Sequence, residues 1–144
     1  MTINVFKSKV LNNKSNKPTD PITTEIIRNS LNSAAEQMKK VLIRSSFSPI
    51  IYEVLDFASA IYDQNYCMLA QSPSLPGFMG TLSFCVEQAV KEVGGESNLF
   101  DGDIIIYNNP YGSGSHSQDV AIVKPVYLEK KLIGYTAIKA HWLD

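Results

Sequence analysis

The feature that most constrains this chain is a pair of apolar runs, Val120 to Val126 and Leu132 to Trp142, separated by the charged triplet Glu129-Lys130-Lys131. Both runs are rich in β-branched and aromatic residues, which suit a pleated, half-buried surface. Two strands joined by so short a connection pair antiparallel. If the triplet is the loop, Leu128 faces Leu132, and counting back in register sets Asp119 opposite His141. Directly opposed residues have Cβ atoms about 5 Å apart, near enough to share one ion. A three-residue loop usually places a glycine at its left-handed position, and this triplet has none.

The segments before this pair alternate between helix and strand signals. Asp20-Pro21 reads as an N-cap followed by a proline pre-set for the first helical position. Ile22, Ile26, Leu31, Ala34, Ala35, Met38, Val41 and Leu42 then recur at helical spacing as one buried stripe. Some twenty-five helical residues make a rod of roughly 38 Å, long enough to span something larger than this chain. Ser48-Pro49 ends that helix. Phe57 to Tyr62 and Tyr66 to Leu69 flank Asp63-Gln64-Asn65 and read as a β-hairpin. Ser72 to Gly80, with Pro73, Pro76, Gly77 and Gly80, reads as loop. A second helix places Leu82, Val86, Ala89, Val90 and Val93 on one face and stops at Gly94-Gly95. Ile104 to Tyr107 is a short apolar run of the kind found in buried strands. The expected fold is α+β: a long N-terminal helix and a second helix packed on an antiparallel or mixed sheet. One domain from residue 20 to 144 accounts for it, preceded by a disordered polar tail over 1–19.

Composition excludes several roles. A net charge of -1 over 144 residues gives no electrostatic footprint for nucleic acid or an anionic membrane. The longest apolar runs are far too short to span a bilayer, and the first residues have no apolar core or cleavage site of a secretory signal. Cys67 and Cys85 read as small buried apolar residues in a reducing compartment, with a disulfide as the alternative. The expected location is cytoplasmic.

The chemistry-bearing stretch is Asn108 to Asp119, which contains Gly112, Gly114 and His116; the second histidine of the chain is His141. Two imidazoles and one carboxylate suit a divalent transition metal with positions left open for water or substrate. His116 and Asp119 lie three apart, so in a strand they would point to opposite faces; they converge only if His116 lies in the curled loop. The bland alternative is a loop histidine bonded to Asp119 and a satisfied core histidine at 141. Gly112-Ser113-Gly114 lacks the lysine of a phosphate loop and the third glycine of a dinucleotide loop, and no nucleophile elbow is present. Glu53 and Asp56 are candidates for paired acid/base work, against a capped turn or an ion pair with Arg44.

The chain resembles the family of hydantoinase B, the acetone carboxylase alpha-subunit and oxoprolinase. The resemblance is carried by Asp20-Pro21-Ile22-Thr23-Thr24-Glu25, by Ser48 to Ala58, and by Leu69-Ala70-Gln71. It continues in Asn108-Asn109-Pro110-Tyr111, His116-x-x-Asp119 and Lys139-Ala140-His141-Trp142. It implies a B-type chain that holds a divalent metal such as Mn, Zn or Fe through His116, Asp119 and His141. It also implies an A-type partner subunit that holds ATP, so that ATP is not bound on this chain. The implied activity on a small-molecule substrate is hydrolysis of a cyclic amide, as in hydantoinases and N-methylhydantoinases, or carboxylation of a ketone. Asn109 stands where many relatives carry Asp, and Trp142 where hydantoinase-like members often carry a second His, which leans the substrate away from hydantoins. Family subunits are several times longer, so the chain is expected to be the N-terminal fragment of a B-type subunit whose C-terminal part is missing. The competing expectation is a truncated, non-catalytic remnant or assembly module that folds on a larger partner.

Overall fold

The computed structural model describes residues 20–113 and 116–142 of the chain. The tail expected over 1–19 lies outside them, as do Gly114, Ser115 and the last two residues. Helix α1 runs Pro21–Ser45, a short α2 Pro49–Tyr52, α3 Pro76–Glu92 and a single turn α4 Pro110–Ser113. Strands β1 Phe57–Asp63, β2 Met68–Gln71, β3 Ile105–Tyr107, β4 Asp119–Leu128 and β5 Lys131–His141 form one sheet in the order β2-β1-β5-β4-β3. Every neighbouring pair is antiparallel. The fold is therefore the α+β class expected.

The β4–β5 hairpin pairs Asp119 with His141, although its tip differs from the simple count. The turn has two residues, Glu129 and Lys130, both at positive φ, and Leu128 pairs with Lys131. Positive φ at both central residues is the geometry whose twist suits a two-residue hairpin. The register then shifts between Val126 and Tyr127, because Ile133 has no opposite number and Val126 pairs with Gly134. The shorter turn and the bulge offset one another, so the far end of the hairpin falls in the expected register.

Alternation along the strands gives the sheet two unlike faces. One carries Tyr62, Tyr135, Ala137, Ala121 and Val123 under α3, where Leu82, Cys85, Val86, Ala89 and Val90 are all buried. Full burial of each large apolar side chain contributes roughly 1.5–3 kcal/mol, so this layer is the main core. On the other face α1 packs against β1 and β2, and buried Ser59 joins the layers through Ala35 and Ser72.

Four local expectations differ. The stripe of α1 is covered at Leu31, Ala34, Ala35, Met38 and Leu42, while Ile22, Ile26 and Val41 are exposed; the spacing is helical, but the first turns extend past the sheet and Val41 falls off the covered stripe. The segment read as loop over Ser72 to Gly80 is helical from Pro76. Pro76 occupies a position whose N–H has no helical partner anyway, and each glycine costs only about 1 kcal/mol in a helix. Of the run Ile104 to Tyr107, the edge strand takes Ile105–Tyr107 and buries Ile105 and Tyr107, while Ile106 and the preceding Ile104 are exposed. Cys85 is buried as expected, whereas Cys67 is exposed beside the β1–β2 turn; both are free thiols.

Candidate metal centre

Asp119 opens β4 and His141 closes β5, so the sheet register itself brings them together. Their side chains meet with His141 Nδ1 2.8 Å from Asp119 Oδ1. The His141 N–H donates to the Asp56 carbonyl at 3.1 Å and the Trp142 N–H to the Gln118 carbonyl at 2.8 Å, fixing the end of β5 from both sides. His116 reaches the same carboxylate from the loop. Its backbone N–H donates to Asp119 Oδ2 at 3.0 Å, and its Nδ1 lies 3.5 Å from that oxygen. A further bond from Asn108 Nδ2 to the Ser117 carbonyl holds the base of the loop. The two imidazole rings stand perpendicular with centroids 6.2 Å apart.

One ligand atom from each of His116, Asp119 and His141 lies within 4.8 Å of the others. Ligands of a tetrahedral zinc-type ion at 2.0–2.1 Å are about 3.3 Å apart, so small side-chain rotations suffice to place all three on one ion. Asp119 is 1% exposed and His116 projects toward solvent. The centre is thus anchored at its carboxylate and open at its loop histidine. Burial pushes the Asp119 carboxyl up, but bonds from His141 and the His116 N–H, with the Lys139 ammonium nearby, hold it below the usual carboxylate range. Such a group stays ionised and suited to a cation.

The triad borders a cavity of about 550 Å³ shared with Asp56, Leu75, Phe78 and Thr81. Asp56 reaches it because Leu55 adopts φ 60 and curls the chain between α2 and β1, a conformation that costs a β- or γ-branched residue of order 1–3 kcal/mol. Glu53, the other candidate carboxylate, is exposed at the end of α2 and does not border this cavity.

Two contributors are absent from the expectations drawn from sequence. The wall formed by Leu75, Phe78 and Thr81 is hidden in a stretch that reads as loop; Phe78 and Leu82 at helical spacing after Pro76 are the available signal. Lys139 is completely buried, with its ammonium 5.6 Å from the Phe78 ring centroid. Burial lowers its pKa, against the opposing pull of Cys85 and Asp119. Its even spacing from His141 along a strand already places it on the same face.

A small antiparallel sheet flanked by helices, with a His/Asp/His cluster at the meeting point of two strand ends, defines the class: an α+β segment bearing a candidate metal centre. The family model for hydantoinase B/oxoprolinase matches residues 20–144, and the chain belongs to that family. It is 33% identical over 125 residues to a 5-oxoprolinase from Dictyostelium discoideum, covering 87% of this chain and 10% of that protein. The crystal structure of the ATP-dependent caprolactamase from Pseudomonas jessenii superposes with a TM-score of 0.75 at 29% identity, over 88% of this chain and 21% of that one. A nucleotide-free acetone carboxylase structure shares the fold, with a TM-score of 0.76 at 18% identity over 85% of this chain and 16% of its own. The chain spans about a fifth or less of the length of the relatives it matches.

Proposed function

We propose that the chain is the metal-binding portion of a B-type subunit in an ATP-coupled enzyme that hydrolyses a cyclic amide or carboxylates a ketone. The observation that carries the metal reading is the convergence of His116, Asp119 and His141 on one cavity. Family membership and likeness to an ATP-dependent caprolactamase support the reaction class. When bound, a divalent ion such as Mn, Zn or Fe polarises a substrate oxygen or lowers the pKa of a water.

The chain's own residues divide the work. Asp119 supplies the carboxylate, held by the His116 N–H, and orients the His141 ring through the Oδ1–Nδ1 contact. His116 supplies the second imidazole from the loop, where it can adjust. Asp56 faces the same cavity and is the carboxylate best placed to hold or pass a proton there; Glu53 would have to reach it from outside. Leu75 and Phe78 give the substrate an apolar wall that limits water. ATP belongs on an A-type partner subunit, and the cytoplasm is the compartment that suits two free thiols. No helix among the described residues is long and apolar enough to cross a membrane.

Metal analysis of the purified chain beside His116→Ala and His141→Ala tests this reading. The expected result is close to one equivalent of a divalent transition metal in the parent and at least tenfold weaker retention in each variant. Unchanged metal content in both variants would sink the proposed centre. A second reading, a non-catalytic assembly module that docks on a larger partner, is favoured by the apolar surface that the described residues leave exposed on the sheet. A purified chain that holds no metal would select it.

A further inference from the structure

On the face of the sheet opposite α3, helix α1 packs on β1 and β2 and the short α2 touches β5, so that among the described residues β4 and β3 are left uncovered. Strand alternation points Ile138, Val120, Ile122 and Ile106 toward that side, with Trp142 at its border. Ile106 is 70% exposed and Trp142 63%. Phe47, in the link between α1 and α2, is fully exposed, and an apolar cavity of about 630 Å³ runs from it to Trp142 between the end of α1 and the strands. No Lys, Arg, Asp or Glu is among the described residues that line that cavity, and His141 is the one titratable residue among them. Scattered apolar residues are ordinary on a surface, but a contiguous patch rimmed by a groove marks a docking site.

We infer that this face receives the further polypeptide of a B-type subunit, the part of the family protein that this chain does not match. The inference rests on the family-subunit reading above. The relatives determine the occupant: in each of them this segment accompanies about four-fifths or more additional chain. More of the same subunit, rather than a second copy of this segment, is therefore the regular neighbour of the fold. Strand alternation turns the Asp119 and His141 side chains toward the α3 side, while His141 also borders the groove, so a partner seated there would brace both strand ends from behind.

A photo-reactive benzoylphenylalanine in place of Ile122, and separately of Trp142, tests this in the full chain expressed in its source cells. The same probe at Lys91, exposed on α3, is the control, and cross-linked peptides are identified by mass spectrometry. The expected result is cross-linking from both test positions, at least tenfold above the control, to peptides homologous to the unmatched part of hydantoinase B-type subunits. Cross-links to a second copy, to residues 1–19 of the same chain or to an unrelated protein would overturn the inference, as would yields no higher than at Lys91. Metal content of the purified chain separates the two failures. Retained metal without the cross-link removes the docking face alone, and the cross-link without metal removes the metal centre alone.

Discussion

At the scale of single residues, Asp119 is where sequence and structure meet most closely. Its pairing with His141 is legible because strand alternation and loop length are both countable, and the placement of His116 beside it follows from needing a curved loop to turn it back. Lys139 was not legible as a site neighbour, because a lysine in a strand is normally a solvent-facing residue and only its spacing from His141 said otherwise. The Asp119 carboxyl is held below its ordinary range despite burial, and this sets a sign for pH. A carboxyl with a depressed folded pKa contributes stability that is present above its unfolded value, near 3.9, and lost as pH falls through the lower folded value. The metal-free chain is therefore expected to lose stability as pH falls through the ordinary carboxylate range and on through the lowered folded value. Asp119→Asn should flatten that slope and cost about 1–3 kcal/mol near neutral pH through lost charge-assisted bonds. Urea midpoints across the pH range check this, and identical profiles for the two proteins would refute it.

At the scale of elements, caps and periodicity told more than burial did. The start of α1 at Asp20-Pro21 and the stop of α3 before Gly94-Gly95 were readable, since each depends on a few local residues; Asp20 accepts from the Ile22 and Thr23 N–H groups, and both glycines take positive φ. Burial depends on what lies opposite, which no local pattern encodes. Ile22 and Ile26 have the right spacing for a buried face but nothing beneath them among the described residues, and Ile106 sits in an apolar run on an edge strand. The start of α3 was missed because Pro76, Gly77 and Gly80 carry the same composition as a loop. One glycine has a demanding role at this scale. A Cβ at Gly134 would collide with the Tyr62 carbonyl of the neighbouring strand, and backbone cannot yield as a flexible side chain can. Gly134→Ala should force β1 and β5 apart and destabilise the fold by roughly 2 kcal/mol or more. A urea midpoint within error of the parent would show that the strands separate freely.

At the scale of the whole molecule, one layer is complete and the other is not. The core under α3 closes over its side of the sheet, while among the described residues the opposite side carries α1 over β1 and β2 and α2 against β5, and leaves β4 and β3 open. Composition hinted at none of this asymmetry, because an apolar residue facing a partner and one facing a core are the same residue. The hairpin tip bears on the whole molecule in another way. Val126 and Gly134 already stand in the register that continues to Asp119 and His141, roughly 24 Å further along at 3.4 Å per residue. A two-residue turn with Ile133 extruded and a three-residue turn without it lead to that same alignment. The tip thus works as a slip joint, able to absorb a gained or lost residue without passing the change on. Deleting Ile133 should leave metal retention unchanged, whereas deleting one residue between Gly134 and His141 should abolish it by sending the imidazole to the other side of the sheet. Equal loss in both deletions would mean that the tip is coupled to the site, and that length changes there are not the neutral variation this geometry permits.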